Sequence, residues 1–278
     1  MNIKRNIFII IGLLFLANIF SWIVVFSGGN NEDSLYFLNV GQGDSELVRV
    51  GQSLFLIDAG KDSEVVKNLE EILPFSKRKI DVVFASHGQQ DHMGGLFEVV
   101  NRYDIGAVLY NGENSSLWDE LKRLLNEREI PYFNVANGDT ISYKNTQFNV
   151  LWPLVEKTSN TSNDNSMVIL MNSSSTRALF TADISSKTEK VLSSFDLNKI
   201  DILKIAHHGS KYSSSKEFLD VIKPKIAVVE VGKNSYGHPA EEILDRFKNI
   251  GSKVFRTDLD GMIKIDYLND KIRIFSQN

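Results

Sequence analysis

The chain has 278 residues, 42% of them hydrophobic and 24% charged, a balance that suits an ordinary globular protein and excludes a disordered or repetitive one. Zero cysteines exclude disulfides, thiolate metal ligands, a thiol nucleophile and a lipid-modified cysteine. A net charge of −4 lacks the basic footprint of a general nucleic-acid binder, so contact with nucleic acid would need a local patch or a bound metal.

Residues 7–26 are uncharged and long enough for a bilayer core. Lys4 and Arg5 precede them, and Asn30-Asn31-Glu32-Asp33 follow. The positive-inside bias therefore predicts a single-pass anchor with a cytoplasmic N-terminus and an extracytoplasmic remainder. A cleaved signal segment and a secreted protein are the alternative. Residues 1–30 form this anchor or signal segment, and 34–278 the domain that follows the polar linker 27–33.

Strand patterns then come quickly at 35–40, 45–50 and 53–57, separated by Gly41-Gln42-Gly43 and Gly51-Gln52, which reads as an antiparallel opening. A helix is expected over 63–73, stopped by Pro74, then a buried strand over 80–85, a helix over 95–102, a strand over 106–110 and a helix over 115–128. Strands return at 147–152, 167–172 and 176–181, with a polar loop at 158–166. Helices over 185–194, 214–222 and 240–250 alternate with strands over 202–206, 226–231 and 253–256, and strands over 261–267 and 271–275 close the chain. Two similar halves of mixed strands and helices predict an α/β, four-layer αββα sandwich, two sheets face to face with helices outside.

The five histidines fall in three polar clusters, each after a predicted strand. His87, Asp91 and His92 lie within six residues, a spacing that a tight loop can fold around a cation. Asp183 follows the strand 176–181, where an isolated buried carboxylate would be costly and so calls for a metal or a charged partner. His207-His208 at another strand end suit one ligand and one substrate-facing group. His238 reads equally as a functional or a helix-capping histidine, and Asp58 as an orienting partner of the histidine loop or a plain turn aspartate. Imidazole nitrogens and carboxylates together suit zinc or manganese.

Eight segments in order resemble the metallo-β-lactamase superfamily and, within it, the hydrolase domains of the ComEC-like DNA-uptake proteins. They are Phe37 to Ser45, Leu56 to Gly60, Ser86 to Gly95, Asn163 to Ser166, Phe180 to Asp183, His207 to Ser210, Tyr236 to Pro239 and Arg256 to Asp258. The resemblance implies metal-dependent phosphodiester hydrolysis. It implies one well-held ion on Asp91, His92, Asp183 and either His207 or His208. A second ion, weak or absent, would have His87 with only Gln89 and Asp164 as helpers, because Gln89 stands where that branch commonly has aspartate. Asp91, Asp183, His208 and His238 would then act on water or substrate, and Ser210, Lys211 and His238 would bind it. Single-stranded DNA is the implied substrate, with an uptake channel as a partner and the oligomeric state left open. Lys77-Arg78-Lys79 and the lysines at 204, 211, 216, 223, 225 and 233 are candidates for a phosphate-tracking strip or for an ordinary solvated surface. Two other functions fit the pattern: a phosphoesterase acting on phosphocholine or teichoic-acid polymers of the cell surface, and a non-catalytic DNA-binding module with a degraded metal site.

Overall fold

The computed structural model describes residues 10–21, 33–75, 77–155, 162–268 and 271–277. It divides into two compact units, Met1–Asn31 and Glu32–Asn278. In the first, residues 10–21 form a helix, and among the described residues no helix is long and apolar enough to cross a membrane. The remainder of the apolar stretch, 7–9 and 22–26, lies outside the described residues, as do linker residues 27–32 and loop residues 158–161.

In the second unit, an eight-stranded sheet runs in the order Lys271–Ser276, Ile263–Leu268, Ser34–Phe37, Glu46–Val50, Ser53–Ile57, Val82–Ala85, Val108–Tyr110, Tyr132–Asn134. A seven-stranded sheet runs Lys253–Arg256, Ile226–Val229, Ile202–Lys204, Arg177–Phe180, Val168–Asn172, Thr146–Trp152, Thr140–Tyr143. Lys79–Ile80 and Asp104–Ile105 add a two-stranded ribbon.

Strand alternation builds the layers, because successive side chains point to opposite faces and both faces are covered. Phe37, Phe55, Ile57 and Phe84 from the first sheet meet Phe148, Ile169, Phe180, Ile202 and Val228 from the second in one inter-sheet core. Their neighbours Leu38, Leu54, Leu56, Val83 and Ala85 face outward onto Val65, Leu69, Leu96, Val99, Trp118 and Leu121. On the far side Leu170, Leu179, Leu203, Ala227 and Val229 pack on Leu192, Phe218, Leu219, Ile243 and Phe247. The helices earn those contacts locally: in Ser116–Glu127, Ser115 caps the Trp118 amide at 3.2 Å, and Trp118, Leu121 and Leu125 share one buried face. The result is the expected αββα arrangement. The sequence reading omitted Tyr132–Asn134 and Thr140–Tyr143, short half-exposed strands that lack a sustained apolar alternation and sit at sheet edges.

Topology gathers the polar loops at one end. Ser53–Ile57, Val82–Ala85 and Val108–Tyr110 are parallel, so Asp58, Ser86-His87 and Asn111 leave the first sheet together. In the second sheet Arg177–Phe180, Ile202–Lys204, Ile226–Val229 and Lys253–Arg256 are also parallel, and Asp183, His207-His208 and Glu230 follow their C-terminal ends. Phe37 pairs with Glu46 in the antiparallel opening, which brings Asp44 to the same rim.

Candidate metal centre

Backbone hydrogen bonds tie three loops into one floor. The Asp44 amide donates to Asp91 O at 3.2 Å, Gly60 N to Asp44 O at 2.8 Å and Ala59 N to His92 O at 2.7 Å. Gly43 permits this closeness: its φ is +146°, and a Cβ there would fall 2.2 Å from Asp91 O. Asp58, Ala182, His207 and His208 all have φ between 43° and 53°, a left-handed strain for non-glycine residues, and all four adjoin the cluster.

Three buried imidazoles are held in the same way. His92 Nδ1 lies 2.8 Å from Asp58 Oδ2, and His208 Nδ1 donates to the Glu230 carbonyl at 2.8 Å. Ser86 donates its hydroxyl hydrogen to Asp58 at 2.6 Å, which leaves its oxygen to accept from His87 Nδ1 at 2.9 Å. With Nδ1 carrying a proton in each ring, Nε2 is the atom left to offer a lone pair, directly in the neutral His87 and, in His92 and His208, once the second proton gives way to an ion. All three Nε2 atoms are buried without a hydrogen-bond partner. They converge on carboxylates: His92 Nε2 is 3.4 Å from Asp183 Oδ1, and His208 Nε2 is 3.5 Å from Asp91 Oδ2 and 3.8 Å from Asp183 Oδ1. His87, His92 and Asp183 offer ligand atoms within 4.8 Å of one another. Asp44, His92 and His208 form a second such group, but there the Nδ1 atoms already donate and Lys204 occupies Asp44. The Nε2 side is the better cradle for an ion.

The electrostatics point the same way. Burial disfavours a charged His208, yet Asp183 and Asp44 push its pKa up to about 10. Burial likewise opposes a charged His92, and Asp183 and Asp44 still hold it well above the usual range. Against the cost of burial, His208 and His92 keep Asp183 well below the ordinary carboxylate range. His87 is pushed down to about 3 by burial and by the neighbouring His92, so its ring is neutral. The cluster thus attracts positive charge to the point where a divalent ion would sit, and the donors present fit such an ion.

The other expected residues are distributed unevenly. His208 joins Asp91, His92 and Asp183, whereas His207, 3.7 Å from Asp183 Oδ2, turns to the open side. His238 stacks edge-on to His207 at 5.6 Å and caps no helix, because Ala240 holds the N-cap position of Glu241–Asn249. Gln89 donates its amide to Asn163, whose own amide lies 3.4 Å from His207 Nε2. Asp164 secures its loop to Ser186–Leu192: its Oδ1 accepts from Ser185 N at 3.1 Å and from Thr188 at 3.4 Å. Ser210 is buried, its hydroxyl oxygen 3.4 Å from the Tyr212 amide. Lys211 is exposed at the rim. The lysine strip does not form, because Lys204 is fully buried and Lys223 and Lys225 precede the strand Ile226–Val229, at the opposite end from the site.

Sequence reasoning missed the layer beneath. Glu46 shares strand parity with Val48 and Val50, Lys204 with Ile202, and Glu230 with Ile226 and Val228, so all three enter the inter-sheet core at its rim. Burial and the facing Glu230 raise Glu46 well above the usual range, and burial with the nearby Asp44 raises Glu230 to about 8. The two carboxyls therefore retain a proton near neutral pH. The signal was present as charged residues on the apolar parity of strand runs.

Two outcomes follow from these contacts. Asp58→Ala frees His92 directly and His87 through Ser86, and is expected to weaken manganese or zinc affinity about 10–100-fold in chelator competition. Glu230, raised to about 8 from 4.5, favours the folded state fully below pH 4.5 and loses that contribution as pH rises through 8. In urea titrations of the ion-free protein, Glu230→Gln should flatten the fall in stability across that window.

The family model of the metallo-beta-lactamase superfamily matches residues 38–232. ComE operon protein 3 of Bacillus subtilis (strain 168) is 29% identical over 262 residues, 86% of this chain and 34% of that protein. Competence protein ComA of Neisseria gonorrhoeae is 29% identical over 238 residues, covering 84% and 32% respectively. The chain thus spans about a third of the length of these curated relatives. The metallo-beta-lactamase fold protein YhfI from Bacillus subtilis superposes with a TM-score of 0.61 at 12% identity, over 84% of this chain and 99% of that one, a likeness of fold. With its paired sheets and its histidine-aspartate cluster at the strand ends, the chain belongs to the metallo-β-lactamase superfamily.

Proposed function

We propose that this protein is a metal-dependent phosphodiesterase acting on DNA, single strands above all, outside the cytoplasmic membrane. The observation that carries the hydrolase reading is the convergence of three buried, unpartnered Nε2 atoms on Asp183 and Asp91, each ring fixed from behind through Nδ1. Asp91, His92, Asp183 and His208 would hold one zinc or manganese ion. His87 with Asp183 would offer a weaker second half-site, since Gln89 and Asn163 spend their amides on each other and on His207. When bound, such an ion polarises a phosphoryl oxygen and lowers the pKa of water from about 15.7 towards 7.

The chain's own residues do the rest. Asp91 and Asp183, kept ionised by the adjacent histidines, orient the attacking water. His207 and His238 face the open side and take the phosphoryl oxygens, with His238 held neutral by burial and by the nearby His207 and His208. Lys211 adds positive charge at the rim. Tyr236, 74% exposed and 5.8 Å from the His238 ring, and Tyr212, 67% exposed, offer faces for unpaired bases. The DNA substrate is supported by the names of the competence relatives, and an uptake channel is the partner those relatives suggest. The outward location is supported by the uncharged residues 7–26 behind Lys4 and Arg5.

The decisive assay strips the metal, restores manganese or zinc, and follows hydrolysis of single-stranded DNA beside a small phosphodiester, with Asp183→Ala as control. Metal-restored DNA cleavage that is lost in the variant is the expected result. Turnover of the small ester alone would shift the substrate to cell-surface phosphoesters, and DNA binding without cleavage would mark a non-catalytic module. For location, protease added to intact cells stripped of their outer layers should digest residues 34–278; full protection would refute the outward placement.

A further inference from the structure

Among the described residues, Lys204 is the one lysine or arginine that is buried, and it occupies a position where strand alternation calls for an apolar side chain. It follows Ile202 on the inter-sheet face of Ile202–Lys204 and ends directly beneath the metal cluster. Its ammonium pairs with Asp44 Oδ2, donates to the Ala182 carbonyl at 3.1 Å and stands 4.0 Å from Asp183 Oδ1.

Each contact leads to a ligand. Asp44, fixed by Lys204, lies behind two imidazoles at once: its Oδ1 is 3.2 Å from His208 Nδ1 and its Oδ2 is 3.5 Å from His92 Nδ1. A carboxylate in that place favours the proton on Nδ1 and the lone pair on Nε2, and it makes the ring a stronger donor. Ala182 precedes Asp183 with a left-handed φ of 43°, so a grip on its carbonyl fixes the strained peptide that presents the Asp183 carboxylate. The same carbonyl accepts from His207 N at 2.9 Å. Among the described residues, Lys204 also fills the one other place where donor atoms gather for a cation, the group made by Asp44, His92 and His208.

We infer that Lys204 and Asp44 are a positioning pair for the metal centre: a resident ammonium ion closes the Nδ1 side to metal and, through Asp44 and Ala182, sets His92, His208 and Asp183 to bind an ion on the Nε2 side. This rests on the metal-centre reading above. It adds that the selection between two faces of the same histidines is made by a lysine that touches neither ion nor substrate.

The test measures manganese and zinc affinity of the full chain by chelator competition, together with thermal unfolding of the ion-free protein, in wild type, Asp44→Asn and the double variant Lys204→Met/Asp44→Leu. Replacing a buried ion pair by apolar side chains of similar size is often tolerated, so the double variant is expected to fold with a melting temperature near that of wild type. Its metal affinity is expected to fall about 10–100-fold, and Asp44→Asn should weaken binding in the same direction. A folded double variant that binds metal as wild type does would reduce the pair to an ordinary structural ion pair and overturn the inference. So would a double variant that fails to fold while Asp44→Asn binds normally. Wild-type protein that takes up neither ion overturns the metal-centre reading itself, which separates that failure from this one.

Discussion

Burying Asp44, Asp58 and Asp183 at the rim of an apolar inter-sheet core is tolerable only where donors and cations are brought to them. Asp58 receives the Ser86 amide and hydroxyl and the His92 ring, and Asp44 receives Lys204. Asp183 is treated differently. Its Oδ1 has no hydrogen-bond donor and faces imidazole nitrogens that are themselves unpartnered. One region of the rim is therefore left electrostatically unfinished, and its unfinished atoms are all of the kind that bind metal. Asp58 with its hydrogen bonds and Asp44 with its lysine stand behind His92 and His208, and unpartnered nitrogens stand in front, so a polarity runs across these rings from which the chemistry of the site follows.

The fold makes this arrangement by simple means. Parallel strands in both sheets deliver their following loops to one end, so residues far apart in sequence arrive together without a long loop. Alternation within each strand then decides depth. Odd-even parity sends Leu203 and Val229 outward to the helices and sends Lys204 and Glu230 inward between the sheets. Glu46 arrives from the opposite sheet, so the charged layer joins the two halves at their rim. Strain is concentrated in the same place, in the left-handed backbones of Asp58, Ala182, His207 and His208.

Much of this was legible in the sequence because it is local. The strands and helices that carry the cores show period-two or helical patterning, and the His87 to His92 spacing discloses a metal loop before any fold is known. Asp58, read as an orienting partner or a turn aspartate, proves to be the former. What could not be read depends on direction. The sequence cannot tell which of His207 and His208 turns inward, since the two are adjacent, identical in kind and both left-handed in backbone. Asp164 and Asn163 are neighbours, yet the aspartate turns to a helix start and the asparagine to the site. Lys204 reads as a surface lysine in sequence because lysine is seldom buried, although its place after Ile202 in an apolar run argues otherwise.

The two ends of the cluster are unequal, and the inequality explains the division of labour among the histidines. Around His92 and His208 stand the anionic oxygens of Asp91 and Asp183, with the rings held from behind. His207 meets only the far oxygen of Asp183, at 3.7 Å, and its Nε2 also lies 3.4 Å from the amide of Asn163, which is neutral and bonded to Gln89. A divalent cation gains far more from the first set, because carboxylate charge is what offsets the loss of its water shell. His207, half-buried and facing outward, is left free of that duty and stands in line with His238 and the exposed Tyr236. A centre built in this way would seat an ion at its closed end and leave His207, His238 and Tyr236 to the open side.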